Sequence, residues 1–222
     1  MAPRITSAPI SLTLHGDVLD PWCWIAERRV VIAAEELHGR FMSLAHVALP
    51  RRWDAQAPTA SERRTRASEL RRAAKEPDAP PFSTELWSAN APGPSSSAPA
   101  LVAIAAARLQ GRTAETALRE ALREAALVRG LDVSRSDVIV EIASRAGLDL
   151  SRFVPAFEAP GTERALLATI ADAAECGITA GPSLVIGADW MVTGARSLRD
   201  YRLVLKRYLA TRVGTPVEHT VH

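Results

Sequence analysis

Asp20, Trp22, Cys23 and Trp24 are the residues best placed to do chemistry, in the stretch Asp17-Val18-Leu19-Asp20-Pro21-Trp22-Cys23-Trp24. A thiol in the first turn of a helix can be activated, because the helix dipole favours its thiolate by ~0.3–1 kcal/mol. Asp20 has two readings. As an N-cap, its carboxylate accepts the orphan N–H groups of the first turn and stabilises the helix by ~0.5–2 kcal/mol. Pro21 then occupies N1, where its missing N–H costs nothing. The alternative is that Asp20 serves as a base for Cys23. A carboxylate one turn away opposes the thiolate by about 1 kcal/mol, which nearly cancels the dipole. Burial raises the thiol pKa further, so Cys23 is expected to be an ordinary or sluggish thiol, at or above about 8.5.

The elements that position these residues follow from periodicity. Ile10 to Leu14 alternates like a strand, and the helix it feeds runs over 21–38, with Gly39 just past its end. Phe41 to Leu49 reads as a strand covered on both faces. A strand, a helix and a second strand in this order make a parallel, right-handed unit. Residues 60–76 form a helix rich in Arg, with Glu62, Glu69 and Glu76 interspersed, and read as a solvated face rather than a nucleic-acid surface. The Pro-rich stretch 77–99 is an irregular connection, and Phe82, Leu86 and Trp87 inside it argue that it packs. Helices follow over 99–110, 113–128, 136–145 with Ser136 as cap, and 162–175, with a short helical turn near Phe153. Ser183–Ile186 and Trp190–Thr193 form a hairpin, and a last helix runs from Ser197 through Leu209. The tail from Val213 reads as frayed.

Composition narrows the function classes. The 222 residues are 47% hydrophobic with a formal charge of +2, enough for a core and too neutral for a global nucleic-acid field. Two cysteines, Cys23 and Cys176, are too few for a disulfide scaffold. Cys176, at a helix end before Gly177, reads as a buried structural thiol. Met1 to Pro9 lacks a signal-peptide core, and no apolar run reaches membrane length, so a reducing cytoplasm is the default. His15, His38 and His46 lack metal-ligand spacing, and neither a phosphate-binding nor a nucleophile-elbow motif occurs.

In this order the pieces resemble the DsbA-like thioredoxin-fold family, and within it the cytosolic FrnE- and SpxH-like branch, over about residues 10–210. Asp17-x-x-Asp20-Pro21-Trp22-Cys23-Trp24 is similar to the family's D-x-x-C-P-W-C/S-W, except at the first Cys. Leu86-Trp87 with Ser96-Ser97-Ala98-Pro99-Ala100, Leu118 to Ala125, and Ala146-Gly147-Leu148-Asp149 are similar to its helical segments. Gly177 to Ile186 is similar to its loop with a cis proline. The resemblance implies an α/β thioredoxin fold split by a helical insertion, with 8–59 and 176–212 forming the thioredoxin-like domain and 60–175 the insertion. It implies thiol-disulfide oxidoreductase activity, Cys23 and Asp20 at the catalytic positions, and Trp22, Trp24, Gly181 and Pro182 at the substrate. A cis Gly181–Pro182 bond would face the start of the first helix. The partner would be a protein or peptide thiol, or a small thiol. No cofactor is implied, with glutathione as a candidate co-substrate, and neither nucleic acid nor membrane is a partner.

The departure at Asp20 leaves three functions open. The family's attacking thiolate is absent, and a carboxylate cannot exchange a disulfide. The chain could work through Cys23 alone with a small thiol. It could be a non-catalytic peptide-binding or adaptor protein on the same fold. It could be a glutathione-dependent isomerase or transferase, though Asp20 would repel the glutathione thiolate.

Overall fold

The computed structural model describes residues 9–88, 91 and 93–213. The expectations for Met1 to Ala8, for the tail past Val213 and for the first residue of the 8–59 segment fall outside them. Strand β1 (Leu12–Gly16) sends Leu12 and Leu14 into the core. It leads within four residues into helix α1 (Pro21–Glu35). Strand β2 (Ala45–Ala48) pairs parallel with β1, Thr13 opposite Ala45 and Gly16 opposite Ala48. Strands β3 (Ser183–Ile186) and β4 (Trp190–Thr193) complete the sheet by antiparallel pairing, in the order β2-β1-β3-β4.

Several ends differ from the sequence expectation. Helix α1 stops at Glu35 rather than at residue 38, because His38 and Gly39 both take positive φ (43° and 74°), which no helix accommodates. The second strand is four residues long. Phe41 contributes only an isolated bridge to Ile10.

Between β2 and β3 the chain is helical. Helix α2 (Ala60–Ala73) opens with a complete capping box, Thr59 and Glu62 each accepting or donating across the first turn. The Pro-rich connection holds a short 3₁₀ turn, Glu85–Trp87, whose Leu86 and Trp87 are buried. Helix α3 (Ala98–Arg108) is apolar nearly all round, and buries Leu101, Ala103, Ala106 and Ala107. Helix α4 (Arg112–Arg123) runs on into a π turn, Glu124–Val128, which buries Ala125, Ala126 and Leu127 in succession. Helix α5 (Ser136–Arg145) takes Arg135 as its N-cap residue, so Ser136 is the first helical residue and not the cap. Helix α6 (Leu150–Glu158) is a full nine-residue helix capped by Asp149, longer than the turn expected there. Helix α7 (Pro160–Glu175) begins at a proline, two residues earlier than expected.

The last helix, α8 (Leu198–Val213), lies against α1. The two cover one sheet face through Leu12, Leu14, Val30, Leu184, Ile186, Tyr201, Leu205 and Tyr208. Each such fully buried side chain contributes roughly 1.5–3 kcal/mol. A second cluster unites α3 to α7, and Val18 at the end of β1 belongs to it. The loop that carries the thiol region thus packs on the helical core, while β1 and α1 on either side of it join the sheet core.

Candidate active site

Most of the loop from β1 to α1 is buried, with Leu19 half-buried. Asp17, Val18 and Asp20 are all buried. Asp17 is satisfied on every side: it accepts from Leu19 N–H (2.8 Å), Arg51 N–H (2.7 Å) and the Ser97 hydroxyl (2.6 Å). It thereby ties the loop to the start of α3.

Asp20 has extended backbone (φ −97°, ψ 113°), and its carboxylate accepts from Trp22 N–H at 2.8 Å. The capping geometry is complete. Its other oxygen lies 3.4 Å from an Arg51 guanidinium that is itself forked onto Glu69 at 2.9 Å twice. Burial raises the Asp20 pKa, and Arg51 and Trp22 N–H work against that rise.

Cys23 is wholly buried, at 0% exposure. Two glycines let the backbone close over its sulfur. A Cβ on Gly16 would stand 2.6 Å from Cys23 Sγ. A Cβ on Gly181 would stand 3.0 Å from Gly16 Cα and 3.5 Å from the same sulfur. The Gly181–Pro182 bond is cis, and Gly181 lies against the end of β1 beside the thiol. Burial, and next the Asp20 charge, push the Cys23 thiol well above the ordinary cysteine range. A thiol of this kind is protonated and shielded, the opposite of an activated nucleophile.

The two tryptophans diverge. Trp24 packs against the insertion cluster and meets Phe82 with ring centroids 5.9 Å apart, while Trp22 is half-buried. Pro182 is buried and Gly181 exposed. Cys176 corrects the expectation: it is exposed, not a buried structural thiol. Helix α7 ends one residue before it, and the inward positions there go to Ala173 and Ile178. Both cysteines are unbridged.

One cluster was not read from the sequence. Glu27, one helical turn beyond Cys23, is buried between Arg119 (3.0 Å) and Arg123. His46 Nε2 on β2 lies 3.0 Å from the same carboxylate. Burial alone would raise the Glu27 pKa, but Arg123, His46 and Arg119 outweigh it and hold the carboxyl far below its usual range. The available signal was position: Glu27 stands in the middle of a helix that is apolar on two sides, where a solvated charge has no place. Among the described residues no His, Cys, Asp and Glu cluster could hold a metal ion.

The chain belongs to the DSBA-like thioredoxin domain family, whose model matches residues 12–206. No curated protein matches it. Among solved structures it is similar to a protein assigned as a disulfide isomerase from Nitrosomonas europaea (TM-score 0.78, 21% identity, 91% of this chain and 98% of that one). It is similar to a protein described as a DsbA oxidoreductase from Streptomyces coelicolor (0.70, 17%, 94% and 93%). It is also similar to the cytosolic disulfide reductase DsbM from Pseudomonas aeruginosa, solved with GSH (0.68, 21%, 90% and 99%). At these identities the structural likeness establishes the fold. No helix among the described residues is long and apolar enough to cross a membrane.

Proposed function

We propose that this protein engages a thiol-bearing partner, an extended peptide segment or a small thiol, beside Gly181–Pro182, and does not run a two-thiol disulfide cycle of its own. The carrying observation is the sealed Cys23: 0% exposed, with Asp20 capping the helix where an attacking cysteine would stand. The Pro182 carbonyl already accepts from Gly194 N–H at 2.7 Å, which leaves the exposed Gly181 backbone for an incoming strand. Trp22 is the neighbouring half-buried surface. Two unbridged cysteines accord with the reducing cytoplasm we assign to it.

Glutathione is the second reading for the ligand. Arg51 and Arg52 line a cleft next to Asp20, where a ligand's carboxylates would compete with Glu69 and Glu62 for their guanidiniums.

The test is thiol reactivity in the Cys176→Ser protein. Cys23 alkylation is expected to be slow at neutral pH and to accelerate only at alkaline pH or on unfolding. Reduction of a disulfide-linked peptide is expected to be no faster with the protein than without it, while the Asp20→Cys variant gains exchange. Rapid alkylation near neutrality, with peptide reduction that disappears in Cys23→Ser, would instead make it a one-cysteine oxidoreductase. Binding of reduced glutathione at millimolar concentration separates the two ligands.

A further inference from the structure

A cavity of about 370 Å³ lies between β2, α3, α4 and α7. It shares no lining residue with the cleft beside Asp20. Its walls are mostly apolar, with Val47 from β2, Leu101 and Ile104 from α3, and Leu166 from α7. Its volume falls within the roughly 300–1,000 Å³ of small-molecule sites, which pair apolar walls with a few convergent polar groups.

The polar groups here are two buried guanidiniums. Arg119 and Arg123 are 5% and 3% exposed, and both line the cavity. Their spacing of one helical turn puts both on the same face of α4. Each makes one ion pair, and both go to the single Glu27 carboxylate. Nε of Arg119 and Nε of Arg123 have no hydrogen-bond partner. Glu115, the other carboxylate on the wall, is engaged by Arg108 at 3.0 Å. Burial pulls the His46 pKa below its ordinary value, and the Glu27 carboxylate works against that. Arg108, Arg119 and Arg123 therefore face only Glu27 and Glu115, and one positive charge is left over in an apolar enclosure. A buried charge without a counter-charge is unfavourable, and a bound anion would relieve it. The π turn that follows Arg123 is of a kind often found beside functional sites.

We infer that this cavity is a binding site for a small, largely apolar molecule that carries one negative charge, its carboxylate held by the guanidiniums of Arg119 and Arg123. The cavity borders the Cys23 region through Gly16 and Val18, but the inference rests on Arg119 and Arg123 and not on the reading of the thiol.

The experiment is titration of the full chain with octanoate and with its neutral analogue octanamide, by calorimetry and by thermal shift. Octanoate is expected to bind at one site and raise the Tm, and octanamide to bind about tenfold or more weakly, the difference expected for a charged hydrogen-bond partner. Arg119→Met keeps the Glu27–Arg123 pair and is expected to reduce octanoate binding towards that of octanamide. Ala105→Phe, which fills the cavity from α3, is expected to abolish binding of both while the circular dichroism spectrum stays that of the parent. Equal affinity for octanoate and octanamide, no binding of octanoate at millimolar concentration, or octanoate binding that survives Ala105→Phe would each overturn the inference. The octanoate–octanamide comparison uses the unaltered protein, so it decides the question even if a variant fails to fold.

Discussion

Replacing Glu27 by Gln gives the most informative stability measurement. The substitution keeps the shape and removes one charge. It leaves Arg119 and Arg123 facing each other with exposures of 5% and 3% and no carboxylate between them. Removing one partner of a buried ion pair is destabilising by about 3–5 kcal/mol, because the remaining charge is stranded rather than because the pair was worth that much. Domain stabilities are about 5–15 kcal/mol, so the loss would be a large fraction of the total. In a chain of this size each kcal/mol moves the Tm by roughly 2–4 °C, which predicts a fall of about 6–20 °C. Urea unfolding should show a lower midpoint with an unchanged slope. The acid side gives a second readout. The Glu27 pKa is lowered by folding, so the unfolded chain binds the extra proton, and the stabilisation is present above the ordinary value of 4.5 and is lost as pH falls below it. The stability of Glu27→Gln should therefore be flatter than that of the parent below that pH. A change within about 1 kcal/mol, the range of an exposed ion pair, would refute the view that this cluster is a buried, interdependent one.

Two further predictions concern the thiol loop. Gly16→Ala places a methyl 2.6 Å from Cys23 Sγ and should destabilise by about 1–3 kcal/mol in urea unfolding. Combining it with Cys23→Ala should recover part of that loss, and simple additivity of the two would contradict the contact. Asp20→Ala should lose ~0.5–2 kcal/mol of cap stabilisation, whereas Asp20→Asn, which can still accept from Trp22 N–H, should retain most of it. Equal losses in the two variants, measured by thermal unfolding, would remove the cap from the account.

The parts of the fold that were legible in sequence are those set by local chemistry. Asp20-Pro21 marks a helix start, the alternation around Leu12 marks a strand, and Gly187 at φ 61° closes the predicted hairpin, with a Cβ there meeting the Tyr208 hydroxyl. The direction of the Cys23 pKa was also legible, since burial and the opposing charge of Asp20 both raise it. What escaped depends on contacts distant in the chain. Glu27 and Arg123 are 96 residues apart, and the helix position that marks Glu27 as buried does not name its partners. Arg29 is another case: it is buried, and it joins α1 to Asp78 at 2.9 Å, to Glu76 at 2.6 Å and to the Arg196 carbonyl at 2.9 Å. The exposure of Cys176 escaped for the same reason, because helix periodicity does not say which face of α7 finds a neighbour. The π turn has no sequence signal of its own.

The sheet order β2-β1-β3-β4 leaves two outer strands, and they are not equivalent. Along β2, Arg108 donates to the His46 carbonyl and Arg112 to that of Leu44 just before the strand, so guanidiniums occupy acceptors that another strand would need. Strand β4 has no counterpart of that pair among the hydrogen bonds of the described residues, and Met191 stands 48% exposed on it. The molecule is thus asymmetric towards other chains. Growth of the sheet, by a second copy or by a partly unfolded neighbour at high concentration, has its opening at Trp190–Thr193, and a lysine placed at Met191 is where solubility could be improved without disturbing the thiol loop or the buried arginines.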